Sequence, residues 1–177
     1  MMRCVMPVIA ALLIHCASSY SPQMPKRLPS LSSNLSSPNL SSISALHRVL
    51  IHSDRTVQRF FSSYYNKPTH ISIKSNKPRT DAPHIFDREV DLMVDSVVYC
   101  SASSVVELKT GKAKEIYPLC GLAQLFEATQ GGEEPTVFEL LEWKVDEGRL
   151  SRKYRLENHH VDCQIEERFV EGCFELF

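Results

Sequence analysis

The chain has 177 residues, long enough for one domain with a sizeable core once any leader is removed. Its formal net charge of −1 gives no bulk electrostatic case for nucleic acid or for an anionic membrane surface. The six cysteines include no Cys-x-x-Cys pair, which argues against both a disulfide framework and structural zinc; Cys100, Cys120, Cys163 and Cys173 read as reduced thiols.

The first acidic residue is Asp54. Ahead of it, Met1, Met2 and Arg3 make a short positive start, and residues 5–14 form an apolar run too short to span a bilayer. The small residues Ala17, Ser18 and Ser19 follow, so residues 1–19 read as a secretory signal peptide. Residues 20–44 are rich in Ser, Pro and Asn, carry Lys26 and Arg27, and have too few apolar residues to fold. A signal peptide followed by a Ser-rich, acid-free basic stretch resembles the two-part plastid leader of algae with secondary plastids. The join Ala17-Ser18-Ser19-Tyr20 is similar to the cleavage motif of such leaders. A plastid location is therefore expected, and the reduced cysteines favour it; the alternative is plain secretion with a disordered spacer.

Residues 45–177 read as a single domain. Residues 44–51 (SALHRVLI) predict a short apolar helix. Ser53 is placed to N-cap a second helix, with Asp54 at its positive end. In that helix Val57, Phe60, Phe61, Tyr64 and Tyr65 form an apolar stripe, read as a core-packing face, and Asn66-Lys67-Pro68 ends it. Residues 69–74 predict a strand with Ile71 and Ile73 inward, and residues 75–84 a polar loop. Residues 86–94 and 97–108 predict a hairpin turning near Asp95-Ser96, and Thr110-Gly111-Lys112 a further turn. Residues 115–129 predict a helix with Pro118 in or before its first turn and a stripe of Leu119, Leu122, Leu125 and Phe126. Gln130-Gly131-Gly132 stops it. Strands at 136–145, 149–157 and 160–169 follow in meander order, with turns at Asp146-Glu147-Gly148 and Asn158-His159. Residues 170–177 give no pattern. The sum is an α+β fold: about six antiparallel strands with two to three helices on one face.

Three charged residues fall on apolar strand faces. In VDCQIEERF (Val161–Phe169), Val161, Cys163, Ile165, Glu167 and Phe169 share one face, so the period puts Glu167 among core residues. A buried carboxylate is costly without a partner, and burial disfavours its charge. Glu167 is thus half of an internal ion pair or part of a site. Its expected partner is Arg88, which shares parity with Val90, Leu92 and Val94, while Glu89 and Asp91 face the other way. Arginine suits carboxylates because its planar donor fork matches them bidentately and stays ionised. The competing account is a purely structural Arg–Glu pair, or a snorkelling Arg stem. Arg152 shares parity with Tyr154 and Leu156 and is a second inward basic candidate, crowded by Lys153 and Arg155. His159, His160 and Cys163 straddle a turn and a strand; a polar turn explains them better than a metal site, so no metal is expected. No phosphate-cradling loop, nucleophile elbow or nucleotide fingerprint appears.

In four pieces the chain resembles the chorismate pyruvate-lyase family and its lyase-like relatives. Residues 50–60 (LIHSDRTVQRF) resemble the family's opening helix, and residues 88–106 (REVDLMVDSVVYCSASSVV) its Arg-Glu-Ile strand and hairpin. Residues 119–126 (LCGLAQLF) resemble its Pro-Leu-Gly segment, and residues 148–169 its closing arginine-rich hairpin and Thr-Glu-Leu-Phe end. The resemblance implies a carbon–oxygen lyase that converts chorismate to 4-hydroxybenzoate and pyruvate for quinone biosynthesis. It implies no metal or organic cofactor and a monomer whose partner is a small enolpyruvyl acid. It places the family's substrate-contacting arginine on Arg88 and its essential glutamate on Glu167. It carries backbone-amide contacts to Thr56 and Leu122, and it makes Arg152 a second carboxylate contact. The sequence departs from the family where a glycine is replaced by Ala123 and an arginine by Ser103. The alternative is a non-catalytic domain of the same fold that binds small aromatic acids.

Overall fold

The structure is a computed structural model and describes residues 43–53, 57–129 and 135–176. Residues 1–42 of the expected leader, Thr56 and most of the 130–135 loop lie outside the described residues, while Ile43 joins the core and Ser44 caps the first helix. Helix α1 (Ala45–His52) is N-capped by the Ser44 hydroxyl, which accepts from His47 N. Ser53 is the C-cap of α1, with its N–H on Leu50 O; the N-cap expected for it on the next helix would involve residues that are not described. Helix α2 (Val57–Tyr65) follows, with Val57 and Phe61 buried.

Strands β1 (Thr69–Pro78), β2 (Ile85–Val94) and β3 (Val97–Leu108) make one antiparallel half of the sheet. Strands β4 (Val137–Asp146), β5 (Arg149–Glu157) and β6 (Val161–Phe169) make the other. β6 pairs with β3, so the six-stranded sheet runs β1-β2-β3-β6-β5-β4. The first strand is longer than expected and takes in residues read as loop. The β2–β3 turn has Asp95 at φ 51, and the β4–β5 turn has Glu147 and Gly148 at φ 48 and 77. Two successive positive φ values match the right-handed twist of a hairpin, and glycine adopts the second at no steric cost.

The expected long helix over 115–129 is three pieces: α3 (Gly111–Ile116), a 3-10 turn (Tyr117–Leu119) carrying Pro118, and α4 (Leu122–Thr129). Pro118 removes a donor and suits only a helix start, so the chain begins again at Leu122. Leu119, expected in the stripe, is 83% exposed as a result. Thr110 is not a turn residue but the N-cap of α3, accepting from Ala113 N. Four α-helices are therefore described, slightly more than expected. Among the described residues no helix is long and apolar enough to cross a membrane.

The covered face of the sheet carries two apolar clusters. One joins Leu50, Ile51, Val57 and Phe61 of α1 and α2 to Val90, Leu92, Tyr99, Cys100, Leu150 and Phe169. The other joins Ala113, Tyr117, Leu125 and Phe126 to Val106, Val161, Cys163 and Ile165. Ile71 and Ile73, expected inward, are exposed, Ile73 by 60%. Their register partners Leu92 and Val90 are buried. β1 is an edge strand, and its apolar residues share the covered face without sharing the cover. The tail finds its place on α2: Tyr65 Oη donates to Cys173 O and accepts from Leu176 N, and Phe174 stacks on Phe61. Cys100, Cys120, Cys163 and Cys173 are free thiols.

Candidate functional site

Between the two clusters runs a belt of buried polar side chains. Register partners in an antiparallel sheet share a face. One row is Val90, Ala102, Glu167, Arg152 and Trp143; the next is Asn76, Arg88, Ser104, Ile165, Tyr154 and Leu140. Alternation puts the β2, β3, β5 and β6 members of these rows on the helix side, and bulges in β1 and β4 bring Asn76 and Trp143 into line with them. Arg88 is 7% exposed, Arg152 2% and Glu167 4%.

The partner expected for Glu167 is corrected. Its carboxylate pairs with Arg152, not Arg88: Arg152 Nε donates to Oε2 at 2.7 Å. Tyr154 Oη donates to the other oxygen at 3.0 Å. The reason lies in strand order. β5 is the immediate neighbour of β6, whereas β2 lies beyond β3. Arg88 and Glu167 are two strands and two residues apart, roughly 12 Å between Cα atoms from standard strand spacing.

Arg152 is fully engaged elsewhere as well. Its Nη1 donates to Leu50 O and, at 2.9 Å, to Ser53 O, both at the C-terminal end of α1. The guanidinium also lies 4.7 Å from the Tyr154 ring centroid. Burial works to lower the Arg152 pKa, but the Glu167 carboxylate and Tyr154 outweigh it and hold it above its ordinary value. Burial, then the adjacent carboxylate, push the Tyr154 phenol far up, so it remains a hydroxyl donor. This arrangement makes Arg152 the holder of Glu167 and of the end of α1.

Arg88 differs. Its guanidinium forms no ion pair and no hydrogen bond among the described residues. Desolvation lowers its pKa, with Tyr117 and Cys163 near enough to act against this; arginine stays charged regardless. Among the described residues the only buried polar side-chain atom both sealed from solvent and without a partner is Tyr99 Oη. The Arg88 nitrogens, also without a partner, are therefore not sealed. Phe86 and Tyr117 pack against one another beside it, ring centroids 4.8 Å apart.

The other expected contacts divide. Leu122 is the first residue of α4, so its N–H belongs to the first turn, where helical amides have no acceptor of their own. Its side chain packs on the second cluster. Ala123 follows it in α4. Ser103 pairs in register with Glu89 and Glu166 and so faces away from Arg88. His160 Nδ1 lies 2.8 Å from Thr110 Oγ1, and among the described residues no cluster of His, Cys, Asp and Glu could hold a metal. Asn76, Ser104 and Tyr117 were not singled out from the sequence. The bulge in β1 between Ile73 and Ser75 puts Asn76 on the Arg88 face, and alternation could not show it. No protein-family model and no curated protein matches the chain.

Proposed function

We propose that the chain takes a small enolpyruvyl carboxylic acid at Arg88 and acts on it as a chorismate lyase, giving 4-hydroxybenzoate and pyruvate. The observation that carries this is the buried, unsealed and unpartnered Arg88 guanidinium on the same sheet face as Glu167. A buried cation without a counter-charge costs several kcal/mol unless something neutralises it. A carboxylate accepted bidentately is the ligand that its fork geometry fits best. The resemblance of residues 88–106 and 148–169 to the chorismate pyruvate-lyase family supplies the reaction and points to the same two residues.

In the reaction, the bond between the ring carbon and the enolpyruvyl ether oxygen breaks. The ring loses the hydrogen of the neighbouring hydroxyl-bearing carbon and becomes aromatic. The released enolpyruvate gains a proton at its methylene carbon and becomes pyruvate. One proton leaves and one is taken up, so a single carboxyl group can serve both steps. Glu167 fits that role, held by Arg152 and Tyr154 at a fixed orientation. The low-dielectric walls of the two clusters strengthen the attraction between Arg88 and a carboxylate that docks on it. The leader reading, if processed as expected, places this activity in a plastid and in quinone synthesis.

A second reading has its own support. Both oxygens of Glu167 already accept a donor. A carboxylate so occupied suits a structural role, and the chain would then be a binder of small aromatic acids. Mixing the chain with chorismate separates the two. A lyase releases 4-hydroxybenzoate and pyruvate in equal amounts above the spontaneous background, and Glu167→Gln abolishes the release while product binding persists. Saturable 4-hydroxybenzoate binding with no release is the binder's result.

A further inference from the structure

Asn76, Arg88 and Ser104 are successive register partners across β1, β2 and β3. Tyr117 Oη reaches down from the 3-10 turn and donates to Asn76 Oδ1 at 2.6 Å. That bond fixes the amide plane, with its oxygen on Tyr117 and both Nδ2 hydrogens left over. The Ser104 hydroxyl, on the other side of Arg88, is buried and has no hydrogen bond among the described residues. Asn76 is exposed at the sheet edge, Arg88 is buried and Ser104 is buried. The row therefore presents an amide donor at the rim, a guanidinium behind it and a hydroxyl behind that. Among the described residues the fold gives Arg152 a carboxylate one strand away and gives Arg88 none.

We infer that Asn76, set by Tyr117, is the specificity-determining contact at the rim of the Arg88 site. It admits a planar carboxylate from the β1 edge and adds an Nδ2 donor to the two from the guanidinium. This rests on the reading of Arg88 as the carboxylate site. Tyr117 acts as a positioning residue: its ring stands beside Phe86 and its hydroxyl holds the amide in the donating orientation. The substrate class that fits is a flat ring acid, edge-on to two aromatic rings, with its carboxylate in the strand row. A neutral amide in place of that carboxylate meets three donors with too few acceptors and binds only weakly.

The decisive variant is Asn76→Asp in the full chain. It is isosteric and keeps an acceptor for Tyr117, but it puts an internal carboxylate beside Arg88. The expected result is at least a tenfold rise in the Kd for 4-hydroxybenzoate by titration calorimetry, the scale of one charge-assisted hydrogen bond. Weak binding of 4-hydroxybenzamide stays unchanged, and the melting temperature does not fall. Asn76→Ala and Tyr117→Phe weaken the acid several-fold in the same assay and decide the matter if the aspartate variant does not fold. Wild-type affinity in all three, alongside loss of binding in Arg88→Gln, overturns the role of Asn76 and leaves the Arg88 reading standing. Unchanged binding in Arg88→Gln, or none in the wild type, removes both.

Discussion

Arg152→Met tests the architecture of the belt. Arg152 is the largest fully buried side chain among the described residues. The substitution keeps a similar apolar stem and removes every donor. Glu167 is left buried with only Tyr154, and Leu50 O and Ser53 O lose the Arg152 donor, although Leu50 O keeps the Ser53 N–H. Removing one partner of a buried pair costs about 3–5 kcal/mol, and the lost carbonyl bonds about 1 kcal/mol more. Water entering at the end of α1 offsets part of this, so a net loss of about 4 kcal/mol is expected. For a domain of this size that is a fall of roughly 15 °C in Tm. Urea unfolding followed by far-UV circular dichroism and by the fluorescence of Trp143, the only tryptophan, measures it. Trp143 is the register partner of Arg152, so the two probes together separate local from global change. The double variant Arg152→Met/Glu167→Gln should recover about 2 kcal/mol of the sum of the single losses. The exposed pair Arg168–Glu166 is the control, and Arg168→Met there should cost under about 1 kcal/mol. A loss below about 1 kcal/mol in Arg152→Met, or strict additivity in the double variant, refutes the ion pair as the anchor of Glu167.

Two further outcomes are expected. Arg155 holds the Asp162 carboxyl below its ordinary pKa against the opposing effect of burial, and Lys74, with Ser101 assisting, does the same for Asp91. Both folded pKa values are depressed, so the stability they contribute is present above about pH 4, the unfolded value, and is lost as pH falls through the folded values. Urea midpoints should therefore drop below about pH 4, beyond the gentler decline that His47 and His160, both lowered chiefly by burial, add below about pH 6.5, and Asp162→Asn with Asp91→Asn should flatten that acid limb; an unchanged limb would show that other groups drive it. Tyr99 is fully buried, stacks on Phe61 with centroids 4.2 Å apart, and has a sealed hydroxyl with no partner. Tyr99→Phe should keep the stacking and raise stability by about 1 kcal/mol, and a loss of that size instead would mean that a water holds the hydroxyl.

The period-two pattern carried most of what was legible. It separates Glu167, Arg88 and Arg152 from their outward neighbours, because alternation is a local property of a pleated strand. It did not reveal that Glu167 meets Arg152, since parity assigns a face and not a neighbour. The neighbour depends on register: the short β5–β6 hairpin sets Arg152 opposite Glu167, whereas β6 reaches β3 by a pairing remote in sequence, which leaves Arg88 a further strand away. The same gap explains Ile71 and Ile73. Their pattern is that of inward residues, but exposure at an edge strand depends on where the helices stop. The break at Pro118 was visible as a signal and was placed wrongly, because a proline fits a helix start and the sequence does not say which helix begins there. Asn76 fell in the stretch read as a polar loop, and even within the longer β1 the bulge shifts parity by one.

The charge on Arg88 is preserved by the alternation that places it. Every carboxylate of β2 has the opposite parity. Asp87 pairs with Arg79 and Asp91 with Lys74 and Ser101 on the other face, and Glu89 is exposed there. None can turn inward without slipping the register by one residue, which would expose Val90 and Leu92. Among the described strand residues the only carboxylate on the covered face is Glu167, and Arg152 and Tyr154 hold it one strand further on. Within these strands, a new acidic residue in the same row, at Asn76 or Ser104, would neutralise Arg88. The seam between the two helix-covered clusters is thus the place where the sheet keeps a positive charge for a group from outside.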